Sequence, residues 1–262
     1  MQVLALQQDV LVFISSFWQT TCTAVRSADE GFVIDSPVLP AELEALPGVL
    51  EQAGFTASAL IVTHGDWDHL LARSAFPEAA LGVAESTAAR VAAEPGQAQR
   101  ELRTFDDDHY ITGRPPLPLA GLQQLPVPGK LELGHGGELE LHPTAGHTSD
   151  GLAVFIPGAE VLVCGDYLSP VEIPMIEHSL AAYIETLGRL GALVERAATV
   201  VPGHGTPMPR EQARQILAED QGYLNALPEA ELPPGRRTPA QRRIHAQNAD
   251  RIRPQSVPGS GP

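Results

Sequence analysis

Four side chains that can bind metal lie within six residues of the chain: His64, Asp66, Asp68 and His69. The preceding segment, residues 59–63, is apolar and β-branched, which is typical of a buried strand. A loop that follows a strand end holds imidazoles and carboxylates on a rigid support. A solvated polar loop would explain one histidine and one aspartate, but it explains all four poorly. We therefore predict half of a metal site here.

Three further metal-binding side chains each follow a predicted strand, and all three have glycine beside them. Glycine allows the backbone to turn sharply and to approach a ligand closely. If the strands are neighbours, these side chains converge with the first four on one edge of the fold. They are His147, Asp166 and His204, after predicted strands at 138–142, 161–164 and 199–201.

The order of these motifs resembles that of the metallo-β-lactamase superfamily. The resemblance covers residues 8–225 and implies an α+β fold, an αββα sandwich of two mixed β-sheets flanked by helices. It also implies two divalent metal ions at the sheet edges. The motifs are His-x-Asp-x-Asp-His at 64–69, Gly-His-Thr at 146–148, Gly-Asp at 165–166 and Gly-His-Gly at 203–205.

The resemblance further implies how the side chains divide between the two ions. Asp166 would bridge them. The ligands of one ion would be His64, Asp66 and His147, and the ligands of the other would be Asp68, His69 and His204.

Position 66 departs from the family pattern, which has histidine where this chain has Asp66. The extra carboxylate neutralises the inner charge of two divalent ions, and its hard oxygen shifts the preference from zinc toward iron or manganese. The flavodiiron members of the superfamily carry a glutamate at this place. Because aspartate is one methylene shorter, two interpretations remain: Asp66 binds the metal directly, which we favour, or it lies behind a weakened first site.

The chemistry that this site implies is hydrolysis. Two cations hold a bridging hydroxide that is a nucleophile at neutral pH, because they lower the pKa of water from about 15.7 to about 7. The resemblance makes Asp68 both a ligand and the catalytic proton carrier. We predict a hydrolase of a small ester, thioester, lactone or phosphoester. The alternatives are a di-iron redox protein without its own flavin domain, which only Asp66 supports, and a non-enzymatic metal-binding sensor.

Two weaker candidates for substrate binding lie near these motifs. Tyr167 directly follows Asp166, and its phenol either binds an oxyanion or packs in the core. His178 precedes a predicted helix at 180–194, and we interpret it first as a helix-start residue. Asp35 ends an early predicted strand, where a role in a turn suffices.

The domain organisation follows from composition. Residues 1–227 form the predicted domain, within which 94–128 contains six prolines and an acidic triplet. A loop of this length and type indicates either a functional lid or a disordered segment, and we predict a lid insertion beside the substrate. Residues 228–262 are rich in Pro, Gly and Arg, and predict a loosely held tail with one helical stretch at 239–252.

The net charge of the 262-residue chain is -15, with a pI near 4.9. Such a surface repels nucleic acid and anionic lipid, so the expected partner is a small-molecule substrate, with no nucleic acid and no membrane. The two cysteines, Cys22 and Cys164, do not form a disulfide framework. The first 25 residues contain no Lys or Arg, unlike the charged start of a signal peptide, so the predicted location is cytoplasmic, with an acidic secreted protein as the alternative.

Overall fold

Two mixed β-sheets pack face to face, and helices cover both outer faces. The computed structural model describes residues 1–28 and 30–253, and the αββα sandwich expected from the sequence is confirmed. Val12, Ile61, Val154 and Val163 are buried between the sheets. These strands have apolar side chains on consecutive positions because both of their faces are covered.

The first sheet has seven strands in chain order. Its first four strands are antiparallel, and its last four run parallel to one another. The carboxyl ends of the parallel strands therefore meet at one edge, where α/β proteins place their ligands. The strands are β1 Gln2–Gln7, β2 Val10–Ile14, β3 Thr21–Ser27, β4 Glu30–Asp35, β5 Ala59–Ile61, β6 Ala80–Ala84 and β7 Leu122–Leu125.

The second sheet has six strands, in the order β13-β12-β11-β10-β9-β8. Only β11 and β12 are parallel, so their carboxyl ends also lie side by side. The strands are β8 Gly129–Glu132, β9 Glu138–Pro143, β10 Leu152–Ile156, β11 Val161–Val163, β12 Thr199–Val201 and β13 Met208–Pro209.

The helices divide between the two outer faces. Leu46 of the first helix and Phe105 of the fourth pack against the first sheet. Leu187 of the fifth helix and Ala213 of the sixth pack against the second sheet. No helix in the described residues is long and apolar enough to cross a membrane. The helices are α1 Pro40–Gln52, α2 Ala72–Ala75, α3 Glu85–Ala93, α4 Gln97–Asp108, α5 Leu180–Val194, α6 Arg210–Asn225 and α7 Pro239–Ile252.

The segment 94–128 is more regular than its composition indicates. It contains α4 and β7, and Leu102 and Phe105 are buried in the core. Pro95 lies before α4 and the other prolines lie after it, so the helix itself has no breaker. The composition of the whole segment, with its six prolines, gave no indication of this proline-free stretch. Its role as a lid stays a prediction.

The tail also differs from its prediction. Its helical stretch is α7, with the expected bounds, but the described part of the tail is not loosely held. Arg236 is 2% exposed, and its Nη1 lies 2.6 Å from Oδ1 of the buried Asp220. Asn248 is buried and donates to the carbonyl of Pro174. Residues 254–262 lie outside the described part of the chain.

Replacing Arg236 with methionine should destabilise the protein, because it leaves the Asp220 carboxylate buried without its partner. We expect the free energy of unfolding to fall by about 3–5 kcal/mol, measured by chemical denaturation. The matched control is Arg253→Met, which breaks the exposed Arg253–Asp250 pair and should cost about 1 kcal/mol or less. Equal losses in the two variants would contradict the buried attachment of the tail.

Candidate metal centre

All seven predicted metal-binding side chains meet at the edge where the loops of both sheets adjoin. They form three groups of three residues, and within each group one ligand atom from each residue lies within 4.8 Å of the others. Two of the groups match the division that the sequence resemblance implies, and the third, His64, His69 and Asp166, links them. The first cluster consists of His64, Asp66 and His147, and the second cluster consists of Asp68, His69 and His204.

Asp166 lies between the two clusters. Its Oδ2 is 3.4 Å from Nε2 of His147 and 3.4 Å from Nε2 of His204. The same oxygen is 3.7 Å from Nε2 of His64, and Oδ1 is 3.1 Å from Nε2 of His69. One carboxylate therefore faces imidazoles of both clusters, which is the position of a bridging ligand.

Backbone carbonyls fix the orientation of two of the imidazoles. Nδ1 of His147 lies 2.9 Å from the carbonyl oxygen of Met175, and Nδ1 of His204 lies 3.2 Å from that of Trp18. A carbonyl only accepts hydrogen bonds, so each Nδ1 carries the hydrogen. In the neutral ring the lone pair is then on Nε2, which points into the cluster, as a metal ligand requires.

Asp35 orients a third imidazole. Its Oδ2 lies 3.0 Å from Nδ1 of His69, and the carboxylate accepts hydrogen bonds from both the backbone and the hydroxyl of Thr63. Sequence reasoning assigned Asp35 only to a turn and missed this role. The available signal was a carboxylate at the end of β4, which runs parallel to the strand before the metal loop.

The environment of these atoms fits a divalent metal ion. Nε2 of His64, His69 and His147 and Oδ1 of Asp166 are buried and have no hydrogen-bond partner among the described residues. A buried polar atom without a partner is costly. Imidazole nitrogens and carboxylate oxygens are ligands for zinc, iron and manganese, and such an ion would satisfy these atoms together.

Asp66 reaches the first cluster despite its short side chain. Its Oδ2 lies 3.4 Å from Nε2 of His64 and 3.5 Å from Nε2 of His147. Its Oδ1 lies 2.8 Å from Nη2 of Arg90, on α3. Oδ2 is therefore the oxygen that faces the first cluster, and direct metal binding by Asp66 stays a prediction. Sequence reasoning did not identify Arg90, because nothing in the local sequence of α3 relates it to position 66.

The glycine before His204 allows the two ligand loops to touch. A Cβ atom at Gly203 would lie 2.0 Å from Oδ1 of Asp166. The backbone N–H of Gly203 donates to the carbonyl of Gly165 at 2.6 Å. The close approach that the sequence analysis expected of glycine is therefore required at this position.

Tyr167 and His178 both contact the loop of His147. The hydroxyl of Tyr167 accepts a hydrogen bond from the backbone N–H of His147 at 3.0 Å, and the tyrosine is buried against Tyr183. His178 is exposed, and its backbone N–H donates to the carbonyl of His147. Ser179, not His178, caps α5. Substrate binding by either residue stays a prediction.

A cleft of about 470 Å³ opens over Asp66, Asp68, Asp166 and His204. The segment 94–128 contributes Glu101 to its lining, and the segment after Asp166 contributes Glu172, Met175 and Glu177. The last helix forms another wall with side chains at helical spacing, which the sequence analysis did not foresee. They are Ala240, Arg243, Ile244 and Gln247.

The carboxylates make the centre attractive to positive charge. Burial by itself opposes a charged imidazole, but Asp66 and Asp166 raise the pKa of His147 to about 9. Asp166 and Glu172 likewise raise the pKa of His204 to about 10. Burial opposes the charge of Asp66 as well, yet His64 and His147 hold its pKa well below the ordinary value. Protons on the imidazoles thus occupy the role that a metal cation would take.

Comparisons with known proteins agree with this arrangement. Residues 16–204 match the sequence model of the metallo-β-lactamase superfamily. A metallo-β-lactamase family protein from Thermus thermophilus has a similar structure, with a TM-score of 0.66, 22% identity, and coverage of 85% of this chain and 83% of that one. A metallo-β-lactamase from Pontibacter korlensis gives a TM-score of 0.63 at 18% identity, covering 83% and 97%. No curated protein matches the chain significantly in sequence.

Metal binding should release protons at neutral pH. With pKa values of about 9 and 10, His147 and His204 are protonated at pH 7 in the metal-free protein, and a metal ion needs the neutral ring. The affinity should therefore rise as the pH is raised from 7 toward 10, by up to about tenfold per pH unit for each proton displaced. Calorimetric titration in buffers of different ionisation enthalpy measures this release. Binding without proton release at pH 7 would contradict it.

Proposed function

Because the chain belongs to the metallo-β-lactamase superfamily, we propose that it is a hydrolase that uses two divalent metal ions on a small-molecule substrate. The observation that carries the proposal is the pair of three-residue clusters with the Asp166 carboxylate between them, on the floor of an open cleft. Each cluster offers the three ligands of a catalytic metal site, which keeps a further position free for water or substrate.

Two ions bound there would supply a hydroxide nucleophile at neutral pH and polarise the carbonyl or phosphoryl oxygen of the substrate. The protein's own residues orient the metal-binding side chains and the substrate. Oδ2 of Asp166 faces imidazoles of both clusters and its Oδ1 faces His69, and the Nδ1 hydrogen bonds of His147 and His204 keep these imidazoles from rotating. The cleft above them positions the bond to be cleaved.

Asp68 is the residue that we assign to proton transfer. It lines the floor of the cleft, and its Oδ2 lies 3.4 Å from Nε2 of His204. Its backbone carbonyl accepts a hydrogen bond from Ser36 at 2.8 Å, which fixes the loop. From this position the carboxylate can take up a proton as the nucleophile forms and give it to the leaving group.

The cleft favours uncharged acyl substrates. Its volume lies in the range of small-molecule sites, about 300–1,000 Å³, and Trp18 at its rim is 48% exposed and offers an apolar surface. Its walls carry the carboxyl groups of Glu101, Glu172 and Glu177 and the guanidinium group of Arg243. Arg90 also lines the cleft but is already paired with Asp66 and Asp150, so negative groups outnumber the unpaired positive one. An anionic phosphoester would meet these carboxylates, whereas a carboxylic ester, thioester or lactone would not. We therefore propose the acyl substrates ahead of the phosphoesters.

A second candidate is a di-iron redox protein, and the observation that favours it is the position of Asp66 Oδ2 in the first cluster. Carboxylate oxygens suit iron better than zinc. Such a protein would need electrons from a separate partner. Turnover that requires both an electron donor and O₂, without hydrolysis of any acyl substrate, would replace the hydrolase with this candidate.

Elemental analysis of protein purified without chelators should find close to two metal ions per chain, with iron or manganese favoured over zinc. Replacing Asp66 with histidine should raise the zinc content relative to iron, because a nitrogen donor replaces a hard oxygen. Metal content that stays near zero after reconstitution would exclude the metal centre. Tight binding of two zinc ions, unchanged in the variant, would refute the argument on metal identity.

Replacing Asp68 with asparagine should lower kcat on a panel of thioesters, lactones and carboxylic esters by about two orders of magnitude or more, the scale of lost acid–base catalysis. The amide has nearly the same size but cannot accept the proton. Metal content must be measured in parallel, because Asp68 is also a ligand. Asp108→Asn, on the exposed side of α4, is the matched control and should leave kcat unchanged. Full turnover by the Asp68 variant at full metal occupancy would remove Asp68 from the mechanism.

A further inference from the structure

Arg90 connects two carboxylates on the loops that carry metal ligands. Its Nη2 lies 2.8 Å from Oδ1 of Asp66, and its Nη1 lies 2.9 Å from Oδ1 of Asp150. The Arg90 side chain is 16% exposed, and that of Asp150 is fully buried. Although burial opposes its charge, Asp66 and Asp150 raise the pKa of Arg90 above its ordinary value. The guanidinium is therefore a fixed cation at the back of the first cluster.

Asp150 extends this contact to the backbone of the metal loop. Its Oδ2 accepts a hydrogen bond from the N–H of Gly65 at 2.9 Å, next to Asp66. Asp150 also follows His147 by three residues in the same loop. One arginine and one aspartate thus join the two loops that supply the three side chains of the first cluster.

The contacts of Asp66 divide its two oxygens between two tasks. Oδ1 is engaged by Arg90, and Oδ2 faces Nε2 of His64 and His147. We propose that Arg90 is the positioning residue of the first cluster: it holds Asp66 so that a single oxygen binds the metal ion. This inference rests on the metal-binding part of the proposed function, but it does not depend on hydrolysis.

The charges explain how Arg90 can do this without repelling a metal ion. The buried Asp150 and the more exposed Glu94, whose Oε2 lies 3.4 Å from Nε of Arg90, balance the charge of the guanidinium, so Asp66 keeps its negative charge available for the cation. The planar fork of arginine reaches both carboxylates at once, whereas the ammonium group of lysine is a point charge that cannot reproduce this geometry. In the described residues, the carboxylate of Asp68 in the second cluster is paired only with histidines, so the effect should be confined to the first cluster.

The test is a calorimetric titration of the metal-free protein with Mn²⁺ and Co²⁺, compared among variants and supported by elemental analysis. Arg90→Lys should lower the metal affinity of one of the two binding events by at least about tenfold. This is the lower end of the loss expected when a residue that holds a metal ligand is replaced. The other event should not change. The weakened event should be the one that Asp66→Ala abolishes. In the Asp66→Ala background, Arg90→Lys should leave the affinity of the remaining event unchanged.

A second variant and a control separate positioning from folding. The double variant Arg90→Met, Asp150→Asn removes the cation without leaving the fully buried Asp150 carboxylate unpaired, and it should weaken the same event. The control is Arg114→Lys, at a buried arginine that pairs with Asp106 and touches neither cluster. It should leave both events unchanged.

Two results would overturn the inference while two metal ions still bind to the wild type. The first is unchanged affinity of both events in the Arg90 variants. The second is an equal loss in both events, which would assign Arg90 to the general stability of the fold. Failure of the wild-type protein to bind any metal would instead overturn the proposed function, and this inference with it.

Discussion

The carboxylates of Asp66, Asp68 and Asp166, the second buried and the other two largely so, impose the constraint on which the other features of the centre depend. Carboxylates packed this closely repel one another and have lost much of their hydration, so they are stable only with positive charge beside them. The fold satisfies this requirement by surrounding them with imidazoles, of which those of His147 and His204 have Nδ1 beside a backbone carbonyl. The Nε2 atoms face the carboxylates, an arrangement that suits a cation.

Hydrogen bonds beside the centre also join the two sheets. The loop before β3 and the loop after β12 come from different sheets, and they are connected by the hydrogen bond from Thr21 N–H to the Gly203 carbonyl at 2.8 Å. The carbonyl of Trp18 in the first loop orients His204 in the second. The position of His204 is therefore fixed by contacts with the other sheet, and not by its own loop alone.

The sequence predicted the parts of this arrangement that depend on local pattern. The strand at 59–63 and the motif that follows it, for example, are adjacent in the chain, so the identity and order of the ligands could be read directly. Asp35, Arg90 and Asp150 could not be assigned in this way, because their partners are distant in sequence and are brought near only by packing. The helix α4 was hidden for a different reason, since the prolines that flank it dominated the composition of its segment. The wall formed by α7 was missed because a polar helix with little apolar periodicity gives no sign of the surface that it covers.

The metal-binding side chains and the cleft wall formed by α7 lie in different parts of the chain. The last ligand is His204, whereas the helix that forms one wall of the cleft begins at Pro239. Side chains such as Arg243 and Gln247 point into the cleft but take no part in the hydrogen bonds that attach the helix, which come from residues such as Arg236 and Asn248. Mutations on this face can therefore accumulate in a lineage without disturbing the inherited chemistry of the centre. Change in a single helix would thus alter the shape of the cleft among relatives of this protein.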